Sequence, residues 1–273
     1  MREEPRIEGM YFDYTTIAAT SPLGQIRDNS ADPFARSRRL KKSISYTLPM
    51  IPLRDVIPSR TTPFVTMALI AANGLAFCYE LSLPPGARQA FIRAYGIVPV
   101  TFAWPTLISS MFLHGGWLHV IGNMWYLWIF GDNVEDRLGH LRYAVFYLLC
   151  GIAAGLAQTL LSPDAHLPTI GASGAIAGVM GAYFVLYPQS RVLTLIPLLV
   201  FVEIVEVPAI FFLGFWFLFQ LVGGAGSVAR TAGTQGGIAF WAHAAGFAAG
   251  LVGVFVFRRP ERLRVEWWGE DGK

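Results

Sequence analysis

Cysteine is scarce in this chain: Cys78 and Cys150 are the two in 273 residues. Both sit inside apolar runs and read as ordinary buried thiols, which excludes a disulfide framework and any cysteine-based metal spacing. Charge is scarce too, at 14% against 54% hydrophobic side chains, and that excludes a soluble domain of this length. Lys41, Lys42 and Lys273 all fall outside the apolar stretches, so no serine and lysine pair forms at membrane depth. Asp132 is the one aspartate within those stretches, which removes a two-aspartate site, and the chain has no HExxH for a zinc hydrolase. Long internal repeats and low-complexity tracts are missing as well. The first hydrophobic run begins too far from Met1 for a cleaved signal peptide and is expected to remain as a helix.

What is present is a series of six apolar segments, at about 64–82, 116–134, 142–161, 171–187, 206–222 and 236–257, each close to the roughly 20 residues that cross a bilayer. The expected fold is an all-α membrane protein, a six-transmembrane helix bundle over 63–258. A cytoplasmic tail of low or unknown order (1–62) precedes it and a second tail (259–273) follows it. The Pro-bearing stretch 192–205 reads as a loop at the membrane surface. Basic residues set the orientation. Arg36, Arg38, Arg39, Lys41, Lys42, Arg54 and Arg60 precede the first segment, Arg137 and Arg142 join the second and third, Arg191 follows the fourth, and Arg258, Arg259, Arg262 and Arg264 follow the sixth. The opposite loops carry Arg88, Arg93 and Arg230. Both termini are therefore expected in the cytoplasm of a cell whose plasma (inner) membrane holds the protein. This bias accounts for the net charge of +3, so no nucleic-acid partner is called for.

Three clusters stand out from the apolar background. In PTIGASGAIAGVMGAY (168–183), Ser173 lies among Gly171, Gly174, Gly178 and Gly181, a small-residue stripe that by itself reads as a helix-packing surface. In AFWAHAAGFAAG (239–250), His243 precedes Gly246 and Gly250, and an ionisable group at membrane depth points to function. Ser173 and His243 each lie fourteen residues before the expected inner ends of their segments, Tyr187 and Phe257. At 1.5 Å per residue that is about 21 Å above the inner boundary for both. In HGGWLHVIGNMW (114–125), His119 and Asn123 are one turn apart on one helix face, at about 22 and 16 Å by the same rise. A ring N–H and an amide NH₂ are donors suited to an oxyanion; as packing residues, the two would instead hold the second segment in the bundle.

Together these residues resemble the rhomboid intramembrane serine proteases. GASGAIAG is similar to the family's GxSG serine motif, AHAAGFAAG to its AHxxGxxxG histidine motif, and HGGWLHVIGN to its HxxxxHxxxN signature, over roughly residues 50 to 257. The resemblance implies Ser173 as nucleophile and His243 as general base. It implies an oxyanion hole of His119, Asn123 and the Ser173 backbone N–H, and His114 as a structural histidine in the first external loop. Gly171, Gly174, Gly246 and Gly250 would be supporting positions. Two departures are visible. Members often carry Trp-Arg early in that loop, where this chain has AWPTLISSMF. Some stack a tyrosine on the base from one turn after the serine, where this chain has Ala177, so another contact must orient His243.

The expected chemistry is peptide-bond hydrolysis by a serine and histidine dyad without metal or cofactor. Glu203 and Glu206 lie before or at the inner start of the fifth segment, on the wrong side to serve as a third member. The expected partners are membrane lipid and transmembrane protein substrates, cut near the outer face after unwinding; oligomeric state is not legible. Family resemblance implies lateral access beside the fifth segment, with Phe211, Phe212, Phe215 and Trp216 facing Trp125 and Trp128 of the second; read as ordinary membrane residues, most of these aromatics face lipid or pack in the bundle. A proton-translocating role for His243 would need more polar groups along a path than the segments contain, and an inactive relative would lack the serine or the histidine.

Overall fold

Helices occupy every one of the six apolar segments. The computed structural model describes residues 50–198, 201–229 and 239–259, all within the unit Leu48–Lys273. In chain order the elements are β1 (Ile51–Asp55), α1 (Phe64–Ser82), α2 (Pro85–Tyr95), α3 (Thr106–Ser109), α4 (Trp117–Leu138), α5 (His140–Leu161), α6 (Ser173–Leu186), β2 (Arg191–Leu198), β3 (Phe201–Pro208), α7 (Ala209–Ala229) and α8 (Phe240–Phe257). By length and composition α1, α5 and α8 can each cross a membrane, while α6 and the Ala209–Gly224 part of α7 are shorter apolar helices. Helix α4 carries Asp132, Glu135, Asp136 and Arg137 in its last two turns.

The chain is mostly helical but not all-α. Strands β1, β2 and β3 form an antiparallel sheet in that order, so the expected surface loop at 192–205 is a β-hairpin. Prolines disguise it. Pro197 pairs with Val202 of β3, but the pairing of β1 with β2 covers only Val192 to Leu195. Among the described residues Pro197 has no β1 partner, the kind of position a strand proline occupies. Val192 and Thr194 are fully buried while Arg191 is exposed, the period-two pattern of a one-sided sheet.

Only the last part of the expected tail 1–62 is among the described residues. Residues 1–49 lie outside the described residues, as do 260–273, but 51–62 belong to the membrane unit. The Asn133 amide donates to Asp55 at 2.7 Å, Ser59 Oγ donates to Asp132 at 3.0 Å, and Thr61 Oγ1 donates to Asp136 at 2.6 Å. One polar helix end thus fastens the approach to α1.

That end also completes α1, which begins after Pro63 with no side-chain cap of its own. The orphan N–H groups of its first turn are met from α4: Val65 and Thr66 donate to the Glu135 carboxylate at 2.9 and 2.8 Å. Glu135 is fully buried and also bonds His140 Nδ1 at 2.6 Å. A negative group at a helix N-terminus satisfies both the donors and the helix dipole.

Helix α6 runs through the middle, with Ala175 to Tyr183 buried along its whole length. It meets α8 backbone to backbone. A Cβ on Gly246 would collide with the Gly174 carbonyl, one on Gly250 with the Gly178 carbonyl, and one on Gly181 with the Phe247 carbonyl. Any larger residue at these positions would push the helices apart.

Candidate active site

Ser173 is the first residue of α6. The loop before it is tied down twice: Ile97 and Thr169 exchange backbone hydrogen bonds at 3.0 and 2.8 Å, and Gly171 N–H donates to the Ser110 carbonyl at 2.9 Å. Gly171 has φ of +121°, and a Cβ there would lie 2.7 Å from His119 Nε2. Both facts require glycine. The chain turns sharply at this point and delivers Ser173 to the end of a helix, where first-turn N–H groups have no helical acceptor.

The seam with α8 sets the distance to His243, whose Nε2 lies 2.7 Å from Ser173 Oγ. This is hydrogen-bond length for a hydroxyl and a base that takes its proton. The glycines singled out in the sequence lie at this seam: Gly174 and Gly246 flank the pair, and Gly250 continues the close approach one turn deeper.

What holds the imidazole was missed in the sequence. Gln220 of α7 is 5% exposed and places Oε1 3.0 Å from His243 Nδ1. The Trp216 ring lies over the imidazole with centroids 5.8 Å apart and planes inclined by 36°. Trp216 therefore faces His243 and Phe247, not the tryptophans of α4 as expected. Phe212 likewise turns inward, 6.3 Å from Phe130. Phe211 and Phe215 are exposed, as are Trp125 and Trp128; Trp125 donates its indole N–H to Pro52 O at 2.6 Å. A usable signal was present, because Gln220 is the one amide in FFLGFWFLFQLVGG (211–224), and a polar group in such a helix turns toward the bundle.

His119 and Asn123 are brought to the same place from α4. Gly115 N–H donates to His119 Nδ1 at 3.3 Å, so the neutral ring carries its hydrogen on Nε2, the atom that packs on Gly171. Asn123 Nδ2 lies 3.5 Å from the same glycine's Cβ direction and is a buried donor without a hydrogen-bond partner among the described residues. His114 stands apart from the reacting pair. It is fully buried, its backbone N–H donates to Glu80 Oε1 at 3.0 Å, and its ring meets Phe77 and His119 edge-on. Beside Ser173 a cavity of about 30 Å³ is lined by Ile97, Met111, Gly155, Thr169 and Gly171, room for one or two water molecules.

A hydroxyl on a base, with unspent N–H donors converging beside it, is the arrangement of a serine hydrolase site, here built between apolar helices. The Rhomboid domain family model matches residues 101–260, more than half of the chain, and the chain belongs to the rhomboid family. It is similar to the mouse (Mus musculus) mitochondrial presenilin-associated rhomboid-like protein, 31% identical over 127 residues, which is 45% of this chain and 33% of that one. Rhomboid protease GluP of Bacillus subtilis (strain 168) is 34% identical over 114 residues, 42% of this chain and 21% of its own length. The chloroplastic Rhomboid-like protein 11 of Arabidopsis thaliana is 30% identical over 113 residues, 40% of each chain. The match thus spans between about a fifth and two fifths of these relatives.

Proposed function

We propose that this protein is an intramembrane serine endopeptidase that cuts transmembrane segments of other membrane proteins near the outer face. The observation that carries the reading is the 2.7 Å approach of His243 Nε2 to Ser173 Oγ in a chain of the rhomboid family.

In this reading Ser173 Oγ attacks the scissile carbonyl carbon while His243 Nε2 takes its proton. The carbonyl oxygen becomes an oxyanion and receives hydrogen bonds from Asn123 Nδ2, His119 Nε2 and the Ser173 backbone N–H. As the tetrahedral adduct collapses, the C–N bond breaks and His243 returns the proton to the leaving amine, leaving an ester on Ser173. Water, deprotonated by His243, then hydrolyses that ester and regenerates the hydroxyl.

Depth supplies the water. Helix α6 has 14 residues, about 21 Å at 1.5 Å per residue, against a hydrocarbon core of about 30 Å. Ser173 at its outer end lies below the lipid surface, where polar backbone is tolerated if it lines a wet cavity. Helices α4, α6 and α7 complete six spans with α1, α5 and α8, and the basic bias puts both termini inside. The six spans extend over 63–258, with β1 packed along α4 from Pro52 at Trp125 to Asp55 at Asn133.

The test is cleavage by the purified protein, in detergent, of a panel of single-pass membrane substrates, together with labelling by a serine-directed fluorophosphonate. Labelling at Ser173 that requires His243, and a cut near the outer face, are expected. Labelling elsewhere, or cleavage by Ser173→Ala protein, overturns the assignment.

A further inference from the structure

We infer that Gln220 is the third member of the site, a positioning residue that fixes the tautomer and orientation of His243; this rests on the reading of Ser173 and His243 as a dyad. A neutral imidazole has one N–H and one lone pair, and only the tautomer with hydrogen on Nδ1 can take a proton from Ser173 at Nε2. With Gln220 Oε1 3.0 Å from Nδ1, that tautomer donates to an amide carbonyl and is the favoured one. The opposite tautomer would set the lone pair of Nδ1 against the lone pairs of that oxygen.

Among the described residues no other group performs this task. Ala177, one turn after Ser173, has no ring to stack, and among the described residues no carboxylate bonds the imidazole. The ring is met by Ser173 from α6 and by Trp216 and Gln220 from α7. Of the other candidate site residues, His119 of α4 is titratable. Trp216 limits its tilt, and among the described residues Gln220 is the group that meets Nδ1.

Placement on α7 adds a consequence. Ser173, His119 and Asn123 stand on α6 and α4, whereas Gln220 stands on a helix joined to α8 through side chains: Phe217 stacks on Phe247 at 4.6 Å, and Gly223 abuts the Phe240 ring. Any displacement of α7 withdraws the amide from the imidazole, so the base is fully poised only when α7 is seated.

Gln220→Met keeps the volume and removes the acceptor, while Gln220→Glu keeps the acceptor and adds charge. Three readouts on the full chain in detergent are decisive: the rate of Ser173 labelling by a fluorophosphonate, kcat and KM on one cleaved membrane substrate, and ¹⁵N-histidine NMR of His243. Gln220→Met is expected to slow labelling and lower kcat about tenfold or more, with KM unchanged, and to lose the Nδ1–H signal. Gln220→Glu is expected to recover labelling at alkaline pH and to move the acid limb of the rate profile upward by about one pH unit or more, since a carboxylate favours the imidazolium. Labelling within twofold of wild type in Gln220→Met overturns the proposal. If that variant does not fold, an unmoved acid limb in Gln220→Glu does so. Wild-type protein that is never labelled at Ser173 instead overturns the dyad, and the tautomer signal still reports on Gln220.

Discussion

Helix α8 meets α6 and α7 through surfaces of opposite character. Toward α6 it offers glycines, and the opposing atoms are the carbonyls of Gly174 and Gly178. Toward α7 it offers Phe240 and Phe247, met by Gly223, Trp216 and Phe217. Backbone against backbone cannot yield, because neither side has a torsion to turn. Ring against ring can repack with rotamer changes of modest cost. Ser173 and His243 are joined across the rigid seam, and Gln220 reaches the imidazole across the adjustable one.

The sharpest way to break this comparison is to remove the reacting pair itself. Ser173→Ala and His243→Ala are each expected to lower cleavage by about 10⁴-fold or more while leaving detergent melting near wild type. Measured turnover in either variant would mean the rigid seam serves packing alone. Next in size is Asn123→Ala. Because its Nδ2 has no partner among the described residues, removing it should cost little stability, yet a lost oxyanion donor lowers kcat by about 10 to 10³. Normal turnover with a lowered melting temperature would assign Asn123 to helix packing.

A matched pair of glycines tests the two seams directly. Gly250→Ala drives a methyl into the Gly178 carbonyl, whereas Gly223→Ala drives one into the Phe240 ring, which can rotate away. The first is expected to destabilise by about 1–3 kcal/mol as an overpacked contact and to slow Ser173 labelling; the second should do neither to a comparable degree. Equal melting temperatures for the two variants would erase the distinction.

The smallest expected effect lies on the three-stranded sheet. Burial raises the Asp55 carboxyl from 3.8 to about 6, while the Tyr183 hydroxyl that donates to it at 2.7 Å pulls the other way. A raised acid favours folding in its protonated form, so this contribution is fully present below about pH 4 and is lost as pH rises through about 6. Melting temperature should therefore fall less between pH 4.5 and 7.5 in Asp55→Asn than in wild type. Identical slopes would refute it.

The rigid side of the molecule was legible in the sequence because it is written in residue types with few other uses. Glycine every three or four residues beside a serine, and a histidine in an apolar run, give both the seam and the pair that crosses it. The adjustable side was not. Gln220 is a single amide among phenylalanines, and nothing in its spacing from His243 says that two helices fold it onto the ring. The hairpin hid for a different reason, since Pro197 and Pro208 argue against strands unless one knows which edges have neighbours. Glu135 escaped notice because its partners, Val65 and Thr66, contribute backbone N–H groups, which carry no signature in the sequence.

That carboxylate also imposes an order in time. Glu135 lies 70 and 69 residues after the N–H groups it receives, and at synthesis rates of about 5–20 residues per second it emerges roughly 4 to 14 s later. Through that interval those two N–H groups of α1 lack the acceptor that the finished structure gives them.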